Sequence, residues 1–379
     1  MIYLDNAATS YPKPVEVVRA VEEAMRVYGA NPGRSGHNMS VNSAMCVYGA
    51  RKALNRFFNG YGTEFVSFTQ NCTAAINTAL KGTVSKGDHV VISSLEHNSV
   101  ARPVNTLSLR GEITYSVFDV SEDEDETVAE FTRALRPETR LAFVTAVSNV
   151  FGNILPLKKL SEAAHRNGTY FYVDGAQAAG VIPIDMAGTG IDCLCVPGHK
   201  GLFGPMGTGA LLHNGCISGT LTEGGTGTSS FELVQPSGFP ERLESGTVNV
   251  PGINGLCAGI KTVENYGISE ISDEENALAC HLFNGLSSVA DVILYKKRHD
   301  PSLYAPIVAF NIKGRHSEEV TALLNEGGFA VRGGYHCAPL AHKAYGTLDT
   351  GAVRVSPSIF TSKKDINNLL ILVNKIALS

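Results

Sequence analysis

Between residues 63 and 215 short apolar runs alternate with segments of helical period. "TEFVSFT" leads through "QNC" into "TAAINTALKG", and "DHVVISS" leads through "LEHN" into "SVARPVNTLSLRG". "RLAFVTAV" leads through "SNVFGNI" into "LPLKKLSEAAHRNG", and "TYFYVD" follows at once. Runs that are apolar throughout, not alternating, belong to strands buried on both faces. Each is followed by a helix that ends at glycine, so the pattern predicts an α/β fold with a mostly parallel sheet covered on both sides. In such sheets ligands bind at the carboxyl ends of the strands, which makes the intervening turns the place to look for chemistry.

The texture changes after "ESGTVNVPGINGLCAGIKTV". A long helical stretch, about 252–290, precedes "YAPIVAFNI", "SEEVTALLNEGG", "FAVRGG", "GAVRVSPS" and "KKDINNLLILVNKI", which predict a smaller α+β lobe. Two lobes also suit 379 residues, more than one compact core usually holds. A net charge of −5 gives no reason to expect nucleic acid or an anionic membrane as partner, and no apolar run is long enough to span a bilayer. The N-terminus "MIYLDNAATS" lacks the basic and apolar segments of a signal peptide, so a cytoplasmic protein is expected. The acidic run "SEDEDET" reads as a solvated loop. Eight cysteines are scattered without framework spacing and are expected as reduced thiols; Cys193 and Cys195 share one strand face as small buried residues.

Three turns carry candidate chemistry. Thr73 opens a helix directly after a strand, where free N–H groups suit a phosphate and a simple cap is the alternative. Asp174 ends the strand "TYFYVD", where a carboxylate can hold a metal, a ribose or a ring nitrogen, or stabilise a turn. Lys200 follows the next strand in "CVPGHKGLFGPMGTG", where a lysine kept from bulk water can lose its proton and form a Schiff base. Lysine, aspartate and an upstream helix N-terminus together fit pyridoxal 5′-phosphate (PLP), with the lysine on its aldehyde and the aspartate on its pyridinium nitrogen.

Along its whole length the chain resembles the cysteine desulfurase family of the class V aminotransferase fold, and within it the shorter, SufS-like group. The resemblance rests on "YLDNAATS" (3–10), "NPGRSGH" (31–37), "CTAAIN" (72–77), "LEHNSV" (95–100), "SNVFG" (148–152), "VDGAQ" (173–177), "GHKGLFGPMGTG" (198–209), "ESGTVN" (244–249), "VRGGYHCAP" (331–339) and "VRVS" (353–356). It implies the fold type I of PLP-dependent transferases, with a mostly parallel seven-stranded sheet. It further implies a large lobe over 15–251 and a small one built from 1–14 and 252–379. By the same resemblance Lys200 holds PLP, Asp174 pairs with its nitrogen, Gln177 bonds its phenolic oxygen, and His97 stacks on the ring and moves protons. Thr73 and His199 hold the phosphate, and Thr247 reaches the phosphate of the other subunit, which implies a homodimer. Asn149 and Arg354 bind the substrate carboxylate, Arg354 through a bidentate fork, with Arg332 and Arg34 as further substrate contacts.

In this family the R-x-G-x-H-C stretch presents the catalytic cysteine, and "RGGYHC" carries Arg332, Gly334, His336 and Cys337 at those positions. The implied activity converts L-cysteine to L-alanine, leaves a persulfide on Cys337 and passes sulfur to an acceptor protein, iron–sulfur cluster assembly being the family's usual destination. Selenocysteine lyase, with L-selenocysteine as substrate, a class V aminotransferase and a non-catalytic relative are the competing readings. Cys337, His336 and His342 supply three zinc-type donors and no fourth, so no metal is expected. Departures from the family pattern lie near the phosphate, where Pro197 offers neither hydroxyl nor N–H and Cys72 replaces a hydroxyl residue. Asn98 and Tyr335 stand where histidines are frequent. The cysteine loop lacks the longer insertion of the other desulfurase group, which implies reliance on a nearby acceptor.

Overall fold

The computed structural model describes residues 1–33 and 36–378. β1 (Ile2–Tyr3), α1 (Val15–Val27) and α2 (Asn38–Phe57) precede an alternating array. That array runs β2 (Val66–Thr69), α3 (Cys72–Lys81), β3 (His89–Ser93), α4 (Asn98–Leu109), β4 (Thr114–Phe118) and α5 (Glu124–Ala134). It continues with β5 (Thr139–Thr145), α6 (Leu157–Arg166), β6 (Tyr170–Asp174), α7 (Met186–Thr189), β7 (Cys193–Pro197) and β8 (Gly209–His213). The expected seven-stranded sheet is present, in the order β2-β8-β7-β6-β5-β3-β4. All pairs are parallel except those made by β8, which runs antiparallel to both β2 and β7.

Successive residues of each central strand enter opposite cores. Ala142, Val144, Phe171, Val173, Leu194 and Val196 join one apolar cluster, to which α2, α6 and α8 (Val250–Tyr266) contribute. Leu141, Phe143, Tyr172, Cys193 and Cys195 join the other, under α3 and α4. Period-two alternation with both faces apolar is why these strands read as continuous hydrophobic runs. The strand expected across "TEFVSFT" is shorter than its apolar pattern, because Thr63–Phe65 forms a single 3₁₀ turn before β2.

The remaining elements are α9 (Ile268–Ser287), β9 (Val292–Leu294), β10 (Val308–Ile312), α10 (Ser317–Glu326), β11 (Phe329–Ala330), α11 (Pro339–Ala344), β12 (Val353–Val355) and α12 (Lys363–Ala377). β12, β10 and β9 form an antiparallel sheet, and β1 pairs in parallel with β11. Their core is separate, built on Leu282, Phe310, Val320, Leu369 and Val373, and Leu4 of the N-terminal segment belongs to it. Ile253, Leu256 and Ile260 of α8 pack instead into the large cluster, with α1 and α2 against them. We therefore propose that the lobes divide at Gly267, between α8 and α9, in place of the boundary at 251 and 252. No helix among the described residues is long and apolar enough to cross a membrane.

The sheet register aligns the carboxyl ends of the strands that carry the site. Thr145 is the partner of Asp174, Asp174 of Cys195, and Gly209 lies between Pro197 and Thr69. The turns after β2, β3, β5, β6 and β7 therefore open along one edge.

Candidate active site

Lys200 sits in the loop after β7, and its amine has no hydrogen-bond or ion-pair partner among the described residues. Burial lowers its pKa below the ordinary lysine value; Arg354 and Arg332 push the same way, while Asp174 and Cys72 oppose them. The loop itself is held hard. The His199 carbonyl accepts from the Ser10 N–H (3.1 Å), the Thr9 hydroxyl (3.0 Å) and the Lys13 ammonium (2.8 Å), and the Lys200 carbonyl accepts from Ser10 Oγ at 3.0 Å. On its other side Gly201 lies flush against Gly180, so a Cβ at Gly201 would stand 2.5 Å from the Ala179 carbonyl oxygen. Backbone contact of this kind admits only glycine.

Asp174 ends β6 and is almost fully buried. Its Oδ1 accepts from the Ala176 N–H at 2.9 Å and from the Cys72 thiol at 3.5 Å, while Oδ2 has no partner among the described residues. The Cys72 side chain thus turns away from the phosphate region where the sequence had put it. As the first residue of α3 it leaves only its N–H there, since the thiol packs between the helix and β6. The N–H groups of Cys72 and Thr73 and the Thr73 hydroxyl are unpaired among the described residues, because Asn71 caps Ala74 N–H instead. His199 Nδ1 is likewise buried without a partner, and burial holds its pKa down to about 4, with Lys200 and Lys13 adding to the effect.

His97 caps α4, and its Nδ1 accepts from the Ser99 N–H at 3.0 Å, which leaves the ring proton on Nε2. Burial lowers its pKa, helped by Lys200, Arg332 and Arg102 and opposed by Asp174. Gln177 donates through Nε2 to the Ala7 carbonyl at 2.9 Å. Glu96, which the sequence reading passed over, is fully buried beside His97: Oε1 accepts from Ser93 Oγ and from the Thr145 N–H (2.8 Å), and Oε2 is unpartnered among the described residues. Burial raises its pKa to about 8. Its signal in the sequence is an acidic residue three positions after an apolar strand.

Cys337 is exposed, and it and His336 both take left-handed backbone angles (φ 56° and 49°) that non-glycine residues rarely adopt. Four bonds, among others, over-determine the loop. Gly334 N–H donates to Ser317 Oγ (3.1 Å), His336 Nε2 to the Ala352 carbonyl (2.9 Å), Asn149 Nδ2 to the His336 carbonyl (2.7 Å), and Asn98 N–H to the Cys337 carbonyl (2.7 Å). Strain kept in place by its surroundings is a mark of functional loops. His336 and His342 are buried, with His342 Nδ1 engaged by Thr347 Oγ1 at 2.7 Å. Among the described residues no group of three or more acidic, histidine or cysteine side chains is arranged to hold a metal ion.

Arg354 is buried, with Nη2 paired to Asp5 Oδ1 at 2.6 Å and Nη1 donating to the Asn149 carbonyl at 2.7 Å. The fork expected of it is therefore largely engaged, by an aspartate in "YLDNAATS" to which the sequence reading gave no role. Arg332, joined to Arg354 by a backbone bridge, has no ion pair or side-chain hydrogen bond among the described residues, and its charge acts on Lys200, His97 and His336. Asn149 Oδ1 is buried and also unpaired there. Thr247 is exposed on the loop before α8 and makes no hydrogen bond to the Lys200 cluster. Arg34 lies outside the described residues.

A lysine free for covalent attachment, a half-engaged aspartate and unpaired donors at a helix start form the kind of site that PLP-binding folds build. The chain belongs to the class-V aminotransferase family, whose model matches residues 2–369. A probable cysteine desulfurase of Methanothermobacter thermautotrophicus is 34% identical, with 97% of this chain and 92% of the relative covered. One from Halalkalibacterium halodurans is 31% identical, with 97% and 91% covered. Among solved structures, the apo cysteine desulfurase of Thermococcus onnurineus superposes with a TM-score of 0.90 at 29% identity, covering 100% of this chain and 94% of that one. The Escherichia coli cysteine desulfurase CsdA gives 0.87 at 26% identity, covering 99% and 94%.

Proposed function

We propose that this chain is a PLP-dependent cysteine desulfurase that moves sulfur from L-cysteine onto Cys337 and releases L-alanine. The observation that carries this reading is the 2.7 Å bond from the Asn98 N–H to the Cys337 carbonyl. It fastens an exposed thiol to the first turn of the helix capped by His97, whose ring lies in the combined field of Lys200 and Asp174. The residues present fit PLP because the groups left unpaired at Lys200, Asp174 Oδ2, His199 and the start of α3 match its parts. Lys200 would hold it covalently, Asp174 Oδ2 would meet the ring nitrogen, Gln177 the ring oxygen and His97 the ring face. Thr73, His199 and the free N–H groups of α3 would hold the phosphate. Thr247 is assigned to the phosphate site of the partner subunit, which requires a homodimer.

When bound, PLP supplies the electron sink that lets bonds at an amino-acid Cα break. The chain's own groups do the rest. Lys200, its pKa lowered by burial, removes the substrate's Cα proton. Arg332, with Asn149 and the remaining donors of Arg354, receives the substrate carboxylate. Cys337 Sγ forms an S–S bond to the substrate sulfur as the Cβ–S bond breaks. In sum, L-cysteine and the Cys337 thiol give L-alanine and a Cys337 persulfide, with no outside oxidant or reductant. Exposure of Cys337 supports delivery of the outer sulfur to an acceptor protein.

The test is alanine release from L-cysteine by the PLP-loaded protein with a reductant present, comparing wild type with Cys337→Ala. Loss of nearly all alanine in the variant supports the reading. Equal release by both would overturn it and turn attention to L-selenocysteine and amino-group transfer.

A further inference from the structure

We infer that Cys72 is a positioning residue for the cofactor: its thiol donates to Asp174 Oδ1 and so sets both the orientation and the basicity of the carboxylate that pairs with the PLP ring nitrogen. The inference deepens the proposed function and rests on its pairing of Asp174 with the ring.

Two donors converge on one oxygen of Asp174. The Ala176 N–H, 2.9 Å away, is fixed by the turn after β6, and the Cys72 thiol, 3.5 Å away, comes from the first turn of α3. Together they commit Oδ1 to the protein and leave Oδ2 as the open face. The backbone donor is set by the turn whatever side chain stands at 176, proline excepted, so the thiol is the adjustable member. It is also a suitable one. Burial, followed by the Asp174 charge itself, drives the Cys72 pKa well up, so the sulfur stays protonated and acts as a donor. The same side chain lies in the apolar cluster with Cys193 and Cys195 and is largely buried, where a weak S–H···O⁻ bond keeps much of its strength.

Each donor on a carboxylate stabilises its charged form and weakens it as a base. Removing the thiol therefore strengthens Asp174 as the counter-charge of the ring. A more firmly protonated ring draws electron density from the Lys200–cofactor bond, and the visible band of the loaded protein then titrates at lower pH. A residue that only filled space would leave this titration where it is.

The experiment is a spectrophotometric pH titration of PLP-loaded wild type, Cys72→Ala, Cys72→Ser and Asp174→Asn. Cys72→Ala is expected to move the midpoint down by about half a pH unit, the scale of one modest hydrogen bond. Cys72→Ser, which keeps a donor, stays near wild type, and Asp174→Asn moves the midpoint upward. The S–H stretching band, isolated by subtracting the matching Cys72→Ser spectrum in the cofactor-free protein, is expected at the frequency of a bonded thiol, with a smaller shift in Asp174→Asn, whose amide oxygen is a weaker acceptor, and none in Asp174→Ala. A Cys72→Ala midpoint equal to wild type, or Cys72→Ser shifted as far as Cys72→Ala, overturns the inference while an Asp174→Asn shift leaves the pairing of Asp174 with the ring intact. If Asp174→Asn does not move the midpoint either, both readings fall.

Discussion

Asp5 and Arg354 meet at 2.6 Å although 349 positions separate them, and the guanidinium they bury is only 1% exposed. The pair joins the N-terminal segment to β12 and leaves Arg332 without a carboxylate among the described residues. Removing one partner of such a pair strands the other charge in a dry interior. Asp5→Ala is expected to cost about 3 kcal/mol of stability or more. Urea unfolding of the PLP-free protein checks this, and a change below about 1 kcal/mol would show that Arg354 finds water or another acceptor.

Arg332 is expected to act on binding and little on turnover. Arg332→Ala should raise KM for L-cysteine about tenfold or more, with kcat changed far less. Arg332→Lys, a charge without the planar fork, should recover only part of the loss. Steady-state kinetics on the three proteins decide it, and an unchanged KM would return the carboxylate to Arg354 alone.

Asn149→Ala removes the donor to the His336 carbonyl, one of the bonds that keep the cysteine loop in its left-handed form. The loop should relax toward ordinary backbone angles, with a kcat about tenfold lower and a changed rate of Cys337 alkylation. Alkylation followed by mass spectrometry reads the second effect directly. Equal rates in variant and wild type would mean that the remaining bonds suffice.

The pH dependence of folding carries a signature of Glu96. Burial raises its folded pKa to about 8, above the ordinary glutamate range. A raised acid contributes stability that is full below about pH 4.5 and is lost as the pH rises toward 8. Glu96→Gln has no such proton to lose. Its stability relative to wild type should therefore grow between pH 5 and 8, by at most about 1.4 kcal/mol per pH unit. Denaturant unfolding at several pH values tests this, and a flat difference would mean that water reaches the carboxylate.

The central strands were legible because burial on both faces leaves an unbroken apolar run, as in "HVVIS" and "CLCVP". The reversal of β8 was not, since "GALLH" is as apolar as its parallel neighbours and strand direction leaves no trace in composition. Lys200, Asp174 and Cys337 could be named from their motifs, but the motifs do not say which groups are already engaged. Arg354 is the fork that the resemblance implies, yet its partner Asp5 lies 349 positions away in the chain. Cys72 was read as a missing hydroxyl near a phosphate, because the rotation of α3 over β6, which aims its thiol, is a matter of packing and not of pattern. Glu96 escaped notice for the same reason.

The N-terminal segment ties the whole site together, and this fixes an order of events during synthesis. Ile2 and Tyr3 pair with Phe329 and Ala330, Asp5 with Arg354, and the Ala7 N–H with Ser356, while Ser10 and Lys13 brace the Lys200 loop. Asp5 is thus anchored by a residue 349 positions further along the chain. However early the large sheet forms, the strap that braces Lys200 stays loose until residues 329–356 have emerged. A nascent chain stalled before Ser356 would hold its large sheet with the lysine loop unfastened.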